Sequence, residues 1–544
     1  MENLLEGLDR EQREAVSSSS KRLLVAAPPG SGKTRVLSLR FARLIKDGVD
    51  PSTLLAVTFT NRASIEMRER ISALLPIDPA LLNIGTFHSS CLKLLKKKTP
   101  LPVLYGREEQ RKVLASLGAK RIDTLLERFS SFKNSGVPLS EEEQAAFHAY
   151  REALGSQGAL DLDDLVPEAI SLIEKEPGIS PFLHLLVDEY QDINPVQARL
   201  VRLLAKESVF AIGDPDQAIY SFRGSSVRAF TGFTNDYPGC EVINLKRNYR
   251  SFASIVNASS ALIAHNTDRI ENTAQALKEG GEITAVECGC ERAEAGFIIK
   301  EIEAMMGGLS SLTVKDHGDL KFSDFAVLFR TNRQGEALAE AFGRSPLPYH
   351  YAGPPGGGFY GFMEALRASE IKDDISLPGL IEATGKAIAA DRYLSGLFLH
   401  SAKAFGSRPA KDVLPQFLDE MLLSGPSDNL DIKADKVNLL TLHSAKGLEF
   451  RVVFIAGFED GLIPFTPKWN EADIEEERRL LYVAITRSKE RLYLVSSDKR
   501  KVFGEEIRPE RSRFLKELPP ALLKKRTIEQ KKLVRKPVQK GLFE

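Results

Sequence analysis

Ala27-Pro28-Pro29-Gly30-Ser31-Gly32-Lys33-Thr34 is the stretch on which the fold turns. It follows a short apolar run, Arg22–Ala26, and precedes a segment whose Leu37, Phe41, Leu44 and Ile45 fall on one helical face before Gly48. A glycine-rich turn between a strand and a helix is a phosphate cradle. Gly30 and Gly32 let backbone N–H groups point inward around a β-phosphate, Lys33 reaches the β/γ oxygens, and the Thr34 hydroxyl ligates magnesium. Ala27 stands where the strict pattern has glycine. A chance glycine-rich turn is the competing reading, and the agreement of strand, Lys-Thr pair and helix argues against it.

Phosphoryl chemistry needs a second half, a carboxylate at the end of a neighbouring strand. Leu185-Leu186-Val187-Asp188-Glu189 supplies it. Asp188 would hold magnesium through water, and Glu189 would activate the attacking water as general base.

Working outward, short β-branched runs alternate with helix-period segments, the pattern of a parallel sheet with crossover helices. The spacing predicts strands at Arg22–Ala26, Leu54–Thr58, Leu82–Gly85, Leu185–Asp188, Val209–Gly213 and Glu241–Leu245. The region 91–180 reads as helical with no convincing strand, an insertion. A second series follows at Ile283–Glu287, Phe325–Phe329, Val437–Leu442, Val452–Ala456 and Leu492–Val495. It is broken by the Pro/Gly stretch Gly353–Gly358 and a mostly helical region, 359–435. The fold class expected is α/β with two parallel-sheet lobes, each carrying a helical insertion. The first lobe takes 1–90 and 181–250, the second 251–358 and 436–518. Residues 519–544 read as a basic flexible tail.

Asp188-Glu189-Tyr190-Gln191-Asp192 and Gly213-Asp214-Pro215-Asp216-Gln217-Ala218-Ile219-Tyr220-Ser221-Phe222-Arg223-Gly224 closely resemble motifs II and III of the UvrD/Rep/PcrA-like helicases. Leu8-Asp9 with Gln12 is similar to the Q motif, Thr58-Phe59-Thr60-Asn61-Arg62-Ala63 to motif Ia, and Asn248-Tyr249-Arg250-Ser251 to motif IV. Gly85-Thr86-Phe87-His88-Ser89 resembles the next DNA-facing motif. Motif V is matched by Thr441-Leu442-His443-Ser444-Ala445-Lys446-Gly447-Leu448-Glu449-Phe450, and motif VI by the run from Glu476 to Arg487. The blocks occur in order over roughly 1–350 and 436–500.

The resemblance implies two RecA-like P-loop lobes and an ATP-driven helicase that moves 3′ to 5′ along single-stranded DNA, with ATP and Mg2+ as cofactors. It implies that Gln12 reads the adenine edge while Arg35 and Tyr249 stack on the base. Gln217 would sense the γ-phosphate, and Arg250 and Arg487 would reach it as arginine fingers from the lobe interface. Glu449 joins the ATP contacts. Phe59, His88, Tyr220, Phe222 and His443 are the expected base-stacking track, with Phe222 where many relatives carry Trp, and Arg62 and Arg330 are expected phosphate contacts.

The chain departs from the family where relatives insert the large 2B subdomain, because only about sixty residues separate Glu370-Ile371-Lys372-Asp373 from the motif V strand. Strand-separation mode and partner contacts are the inferences this touches. An alternative therefore stands beside the helicase, an ssDNA-stimulated ATPase that displaces DNA-bound proteins without processive unwinding. A helicase-nuclease reading fails because roughly fifty residues follow motif VI, and a P-loop kinase or GTPase lacks accompanying substrate motifs.

Composition sets the remaining bounds. In 544 residues, Lys plus Arg and Asp plus Glu number 74 each, so a DNA partner must meet a local groove and not a globally basic surface. Cys91, Cys240, Cys288 and Cys290 form no CxxC pair, which supports neither a zinc ribbon nor a disulfide framework. No apolar run of about 18 residues occurs, and the expected location is cytoplasmic. The terminal Gln539-Lys540-Gly541-Leu542-Phe543-Glu544 resembles short peptides that bind the replication sliding clamp, so Gln539, Leu542 and Phe543 are candidate partner contacts.

Overall fold

The computed structural model describes residues 4–97, 103–221, 224–225, 227–267, 269–270, 272–307, 320–353, 357–371, 375–390, 392–406, 408–424, 434–466, 473–502 and 505–528. They form two compact units, one of Met1–Val256, Ile263–Glu279 and Ala352–Asp431, the other of Asn257–Leu262, Gly280–Tyr351 and Ile432–Glu544.

The strands of the first unit are β1 (Arg22–Ala26), β2 (Leu54–Thr58), β3 (Ile84–Thr86), β4 (Val103–Tyr105), β5 (Ala159–Asp161), β6 (His184–Val187), β7 (Ser208–Gly213), β8 (Glu241–Asn244), β9 (Arg247–Phe252) and β10 (Gln275–Lys278). Six of them make one sheet in the order β3-β2-β6-β7-β1-β8, every pair parallel. All five residues of β2 are buried, as an interior strand covered on both faces requires. Two apolar clusters cover the sheet. One centres on Phe41, Met67 and Ile71, the other on Leu165, Ile170, Phe230 and Phe233. Because all strands run the same way, the loops after β1, β6 and β7 emerge on one edge, where α/β sheets take ligands.

The insertion differs from its sequence reading. β4 and β5 pair in parallel within 91–180, where no strand was expected. Each has three residues, too few to show a period, and Gly106 and Gly158 bound them. The helices Phe87–Leu95 and Leu165–Lys175 belong to the main core, so the insertion's own core is only the cluster around Val113, Phe129, Phe147 and Tyr150.

Four helices, Gly357–Ala368, Leu377–Ala387, Arg392–Ala402 and Ala410–Leu423, build a bundle around Phe362, Phe398 and Phe417. Sequence order assigns it to the second lobe, but its contacts place it in the first unit. Arg367 Nη1 meets Glu109 Oε1 at 2.9 Å and Nη2 donates to the Leu104 carbonyl at 2.9 Å. Lys96 Nζ pairs with Asp419 Oδ2 at 3.0 Å, and Lys112 pairs with Glu364. Gly106 permits the approach, since a Cβ there would sit 2.9 Å from Leu422 Cδ2.

The second unit is a seven-stranded sheet in the order β13-β14-β12-β15-β16-β11-β19. Its strands are β11 (Glu282–Cys288), β12 (Phe325–Phe329), β13 (Tyr349–Tyr351), β14 (Val437–Thr441), β15 (Phe450–Ala456), β16 (Ser488–Ser497) and β19 (Leu523–Ile528). A small antiparallel pair, β17 (Arg500–Val502) and β18 (Glu505–Ile507), lies apart. β19 corrects the expectation of a flexible tail from 519. It pairs in parallel with β11 over Leu523–Ile528. Lys524, Lys525 and Arg526 are exposed on this edge strand, and charge on an edge blocks further pairing while the backbone ladder holds it. Arg526 adds an ion pair to Glu301 at 2.8 Å. Among the described residues no helix is long and apolar enough to cross a membrane.

Candidate nucleotide and DNA site

The phosphate loop leaves β1, tied to a neighbouring strand at its start and closed by a bond within itself. The Ala27 N–H donates to the Gly213 carbonyl at 2.8 Å, tying it to the end of β7, and the Ser31 hydroxyl donates to the Pro28 carbonyl at 2.7 Å. Gly30 and Gly32 lie at φ +73° and +84°, in the left-handed region that glycine alone enters without strain. Close approach forbids a side chain as well. A Cβ on Gly30 would lie 2.8 Å from Arg250 Cβ and from Asn248 Oδ1, and one on Gly32 would lie 2.9 Å from Gln12 Nε2. The helix Lys33–Lys46 then begins with its N–H groups facing the loop.

Three side chains gather beside this loop. Gln12 is buried and donates through Nε2 to the Ser31 carbonyl at 2.8 Å. Arg35 reaches the Gly7 and Glu6 carbonyls at 3.2 and 3.3 Å, and the Tyr249 hydroxyl donates to Asp9 Oδ2 at 2.6 Å, the residue being 39% exposed. Asp9 also caps the helix Arg10–Ser17 in a reciprocal box with Gln12. Lys33 Nζ rests on the Ala27 carbonyl at 3.1 Å.

The acidic pair follows β6. Asp188 is buried and its Oδ1 accepts the Glu189 N–H at 3.0 Å. Glu189 is left-handed at φ +49°, a strained position for a residue with a side chain. Across from it Gln217 Nε2 donates to Asp214 Oδ2 at 2.7 Å, both residues buried. Burial pushes the Asp214 carboxyl above its usual range, and the Lys33 charge opposes that shift.

Arg250 lies in the first unit on β9, the lobe to which its place in the sequence assigned it, directly over the phosphate loop. Arg487 belongs to the second unit and is 2% exposed. Its guanidinium donates to the Val483 and Leu448 carbonyls at 2.9 and 3.1 Å. Glu449, in the same unit, pairs with Lys489 at 2.7 Å.

Of the expected DNA contacts, Phe59 and Tyr220 come together as a stacked pair, ring centroids 4.9 Å apart and planes at 27°. His88 occupies the first turn of the helix after β3, half-buried, and Arg62 pairs with Glu66 at 2.8 Å. In the second unit His443 follows β14. Arg330 is drawn inward, its fork on Glu477 at 2.7 Å and its guanidinium 4.8 Å from the Phe465 ring, so the structure shows it in an ion pair. Phe222, Gln539, Leu542 and Phe543 lie outside the described residues.

Sequence reasoning assigned no role to Asn248, whose Nδ2 donates to the Pro29 carbonyl at 2.8 Å, or to Gln191. Both stand inside quoted motifs, and only their partners show what they do. The four cysteines are free thiols, Cys91 buried in the first unit's core with its acidity suppressed, pKa pushed up to about 12.

Comparison with known proteins agrees with this arrangement. Residues 8–238 match the family model described as UvrD/REP helicase N-terminal domain, and 243–405 and 398–499 match the UvrD-like helicase C-terminal domain. The ATP-dependent DNA helicase PcrA of Staphylococcus epidermidis is 30% identical over 98% of this chain and 89% of its own length. The protein of the same name from Staphylococcus aureus is 31% identical over 98% and 90%.

Proposed function

The chain belongs to the UvrD/REP helicase family and is an ATP-hydrolysing DNA helicase, and from that premise we propose that it moves 3′ to 5′ along single-stranded DNA, unwinding duplex ahead of it, in DNA repair, replication or recombination in the cytoplasm. The observation that carries the reading is the convergence of the phosphate loop, the Asp188-Glu189 pair and the Asp214–Gln217 turn on one edge of a parallel sheet, joined by the Ala27–Gly213 hydrogen bond at 2.8 Å.

In this mechanism the loop amides and Lys33 bind the triphosphate, Glu189 takes the proton of the attacking water, and Gln217 reads the γ-phosphate. Hydroxyl and carboxylate oxygens suit a hard cation, so Thr34 and Asp188 would hold magnesium, which when bound neutralises charge on the phosphate oxygens. Gln12, Arg35 and Tyr249 frame the adenine, with Glu449 a further nucleotide contact. Arg250 and Arg487 are the guanidinium groups that stabilise transition-state charge. Phe59, Tyr220, Phe222, His88 and His443 offer faces to bases, and Arg62 and Arg330 offer charge to phosphates.

Strand displacement on 3′-tailed and 5′-tailed duplexes tests the reading. Unwinding from the 3′ tail alone supports it. ATPase stimulated by single strands with no displacement from either tail favours the alternative, a remodeller that clears proteins from DNA.

We propose further that Gln539, Leu542 and Phe543 dock in a pocket of the sliding clamp. Support comes from an apolar Leu-Phe pair on a basic segment, a weak contact made useful by tethering. A peptide of residues 524–544 titrated against the clamp decides it, and binding that survives Leu542→Ala with Phe543→Ala overturns it.

A further inference from the structure

Gln191 is wholly buried between the acidic pair and the turn that carries Gln217. Its Nε2 donates to Glu189 Oε2 at 2.5 Å, and its Oε1 accepts the Asp214 backbone N–H at 2.9 Å. Asp214 in turn accepts from Gln217 Nε2 at 2.7 Å through Oδ2 and from the Asp216 N–H at 3.1 Å through Oδ1. One primary amide therefore joins the carboxylate after β6 to the turn after β7.

The surroundings are shaped for that amide. A Cβ on Gly213 would overlap Gln191 Oε1 and lie 3.1 Å from the Tyr190 nitrogen and from Phe230 Cε2, so glycine is what lets the side chain cross between the strands. Glutamine alone among side chains of this reach both donates to a carboxylate and accepts a backbone N–H. Glutamate has no donor when ionised, and asparagine is a methylene short. Glu189 needs such a hold because its own backbone is strained at φ +49° and because Asp188 and Asp214 stand beside it with like charge.

We propose that Gln191 is a positioning residue for ATP hydrolysis: it aims the Glu189 carboxylate at the attacking water and registers it against Gln217, so that base and γ-phosphate sensor move as one piece. This rests on Glu189 being the base and Gln217 the sensor. It goes beyond that reading by giving the two a mechanical link independent of the nucleotide.

The test uses the full chain with saturating single-stranded DNA and three variants. Gln191→Glu keeps the volume and the acceptor for Asp214 but loses the donor, and Gln191→Met keeps volume alone. Each is first checked by melting temperature and by binding of a fluorescent ATP analogue. In whichever of them folds, kcat falls about ten- to a hundredfold while KM for ATP stays within about threefold. The split between kcat and KM is the diagnostic, because a mere structural filler would loosen the neighbouring phosphate cradle and lower nucleotide affinity together with kcat. Glu189→Gln is the reference. If it retains turnover, the base assignment fails. If it is inactive while a folded Gln191 variant keeps wild-type kcat, the positioning role alone is overturned. A fall in kcat matched by an equal loss of nucleotide affinity overturns it as well, as does failure of both Gln191 variants to fold, since the amide is then needed for the fold itself.

Discussion

Asn248 Nδ2 donates to the Pro29 carbonyl at 2.8 Å across 219 residues of sequence, while its Oδ1 accepts the N–H groups of Arg250 and Ser251, each at 2.9 Å. The phosphate loop and β9 are thereby one unit, with Arg250 carried over Gly30.

Asn248→Ala leaves these buried groups without partners, at a cost of about 1–3 kcal/mol. We expect KM for ATP to rise about tenfold as the loop loses its brace, with a smaller fall in kcat. Steady-state ATPase with a thermal melt measures both, and an unchanged KM in a folded variant contradicts the bracing role.

Lys33→Ala and Glu189→Gln each reduce ATP turnover by about a hundredfold or more, because an oriented charge is removed from a phosphoryl-transfer site. The two separate on binding. Glu189→Gln still takes up fluorescent nucleotide, since the cradle of loop amides is intact, whereas Lys33→Ala binds it weakly.

The Phe59–Tyr220 stack predicts a shared platform for a base. Tyr220→Ala weakens single-strand binding by about 1–3 kcal/mol, and Phe222→Ala acts in the same direction. Fluorescence anisotropy with a labelled oligonucleotide reads the affinity, and the DNA concentration that half-stimulates ATPase rises in step. ATPase indifferent to added DNA in the wild type would sink the coupling.

Inside the insertion, Lys133 Nζ lies 2.6 Å from Asp161 Oδ2 and 2.7 Å from Asp164 Oδ1, all three side chains buried. Burial, then the Asp161 charge, pushes the Asp164 carboxyl up to about 6 from 3.8. A folded pKa above the unfolded one favours the folded state while the group is protonated, so this contribution is full below about pH 4 and lost as pH rises through about 6. Lys133→Met strands both carboxylates and should cost about 3–5 kcal/mol at pH 7.5, with a smaller loss at pH 5 where Asp164 takes up a proton. Urea unfolding at the two pH values tests this, and equal losses would contradict it.

Much of this protein could be read along the chain. The cradle Ala27–Thr34, the strand before it and the acidic pair after Leu185–Val187 are contiguous, and contiguous residues carry their own conformational chemistry. Interior strands such as Leu54–Thr58 and Phe325–Phe329 declare themselves because both faces are buried and every position but Thr58 is apolar. What tertiary structure alone decided is which distant groups meet. β19 exists through a backbone ladder that its Lys524-Lys525-Arg526 side chains do not advertise. The four-helix bundle follows the second lobe's first strands in sequence yet joins the first unit, because its Arg367 finds the Glu109 carboxylate and Leu104 carbonyl there and its Asp419 and Glu364 find Lys96 and Lys112. Gln191 and Asn248 are polar letters inside a motif until the fold buries them. A buried amide must then be satisfied by whatever donors and acceptors the chain brings within about 3 Å, and that choice is a property of three-dimensional packing, not of sequence order.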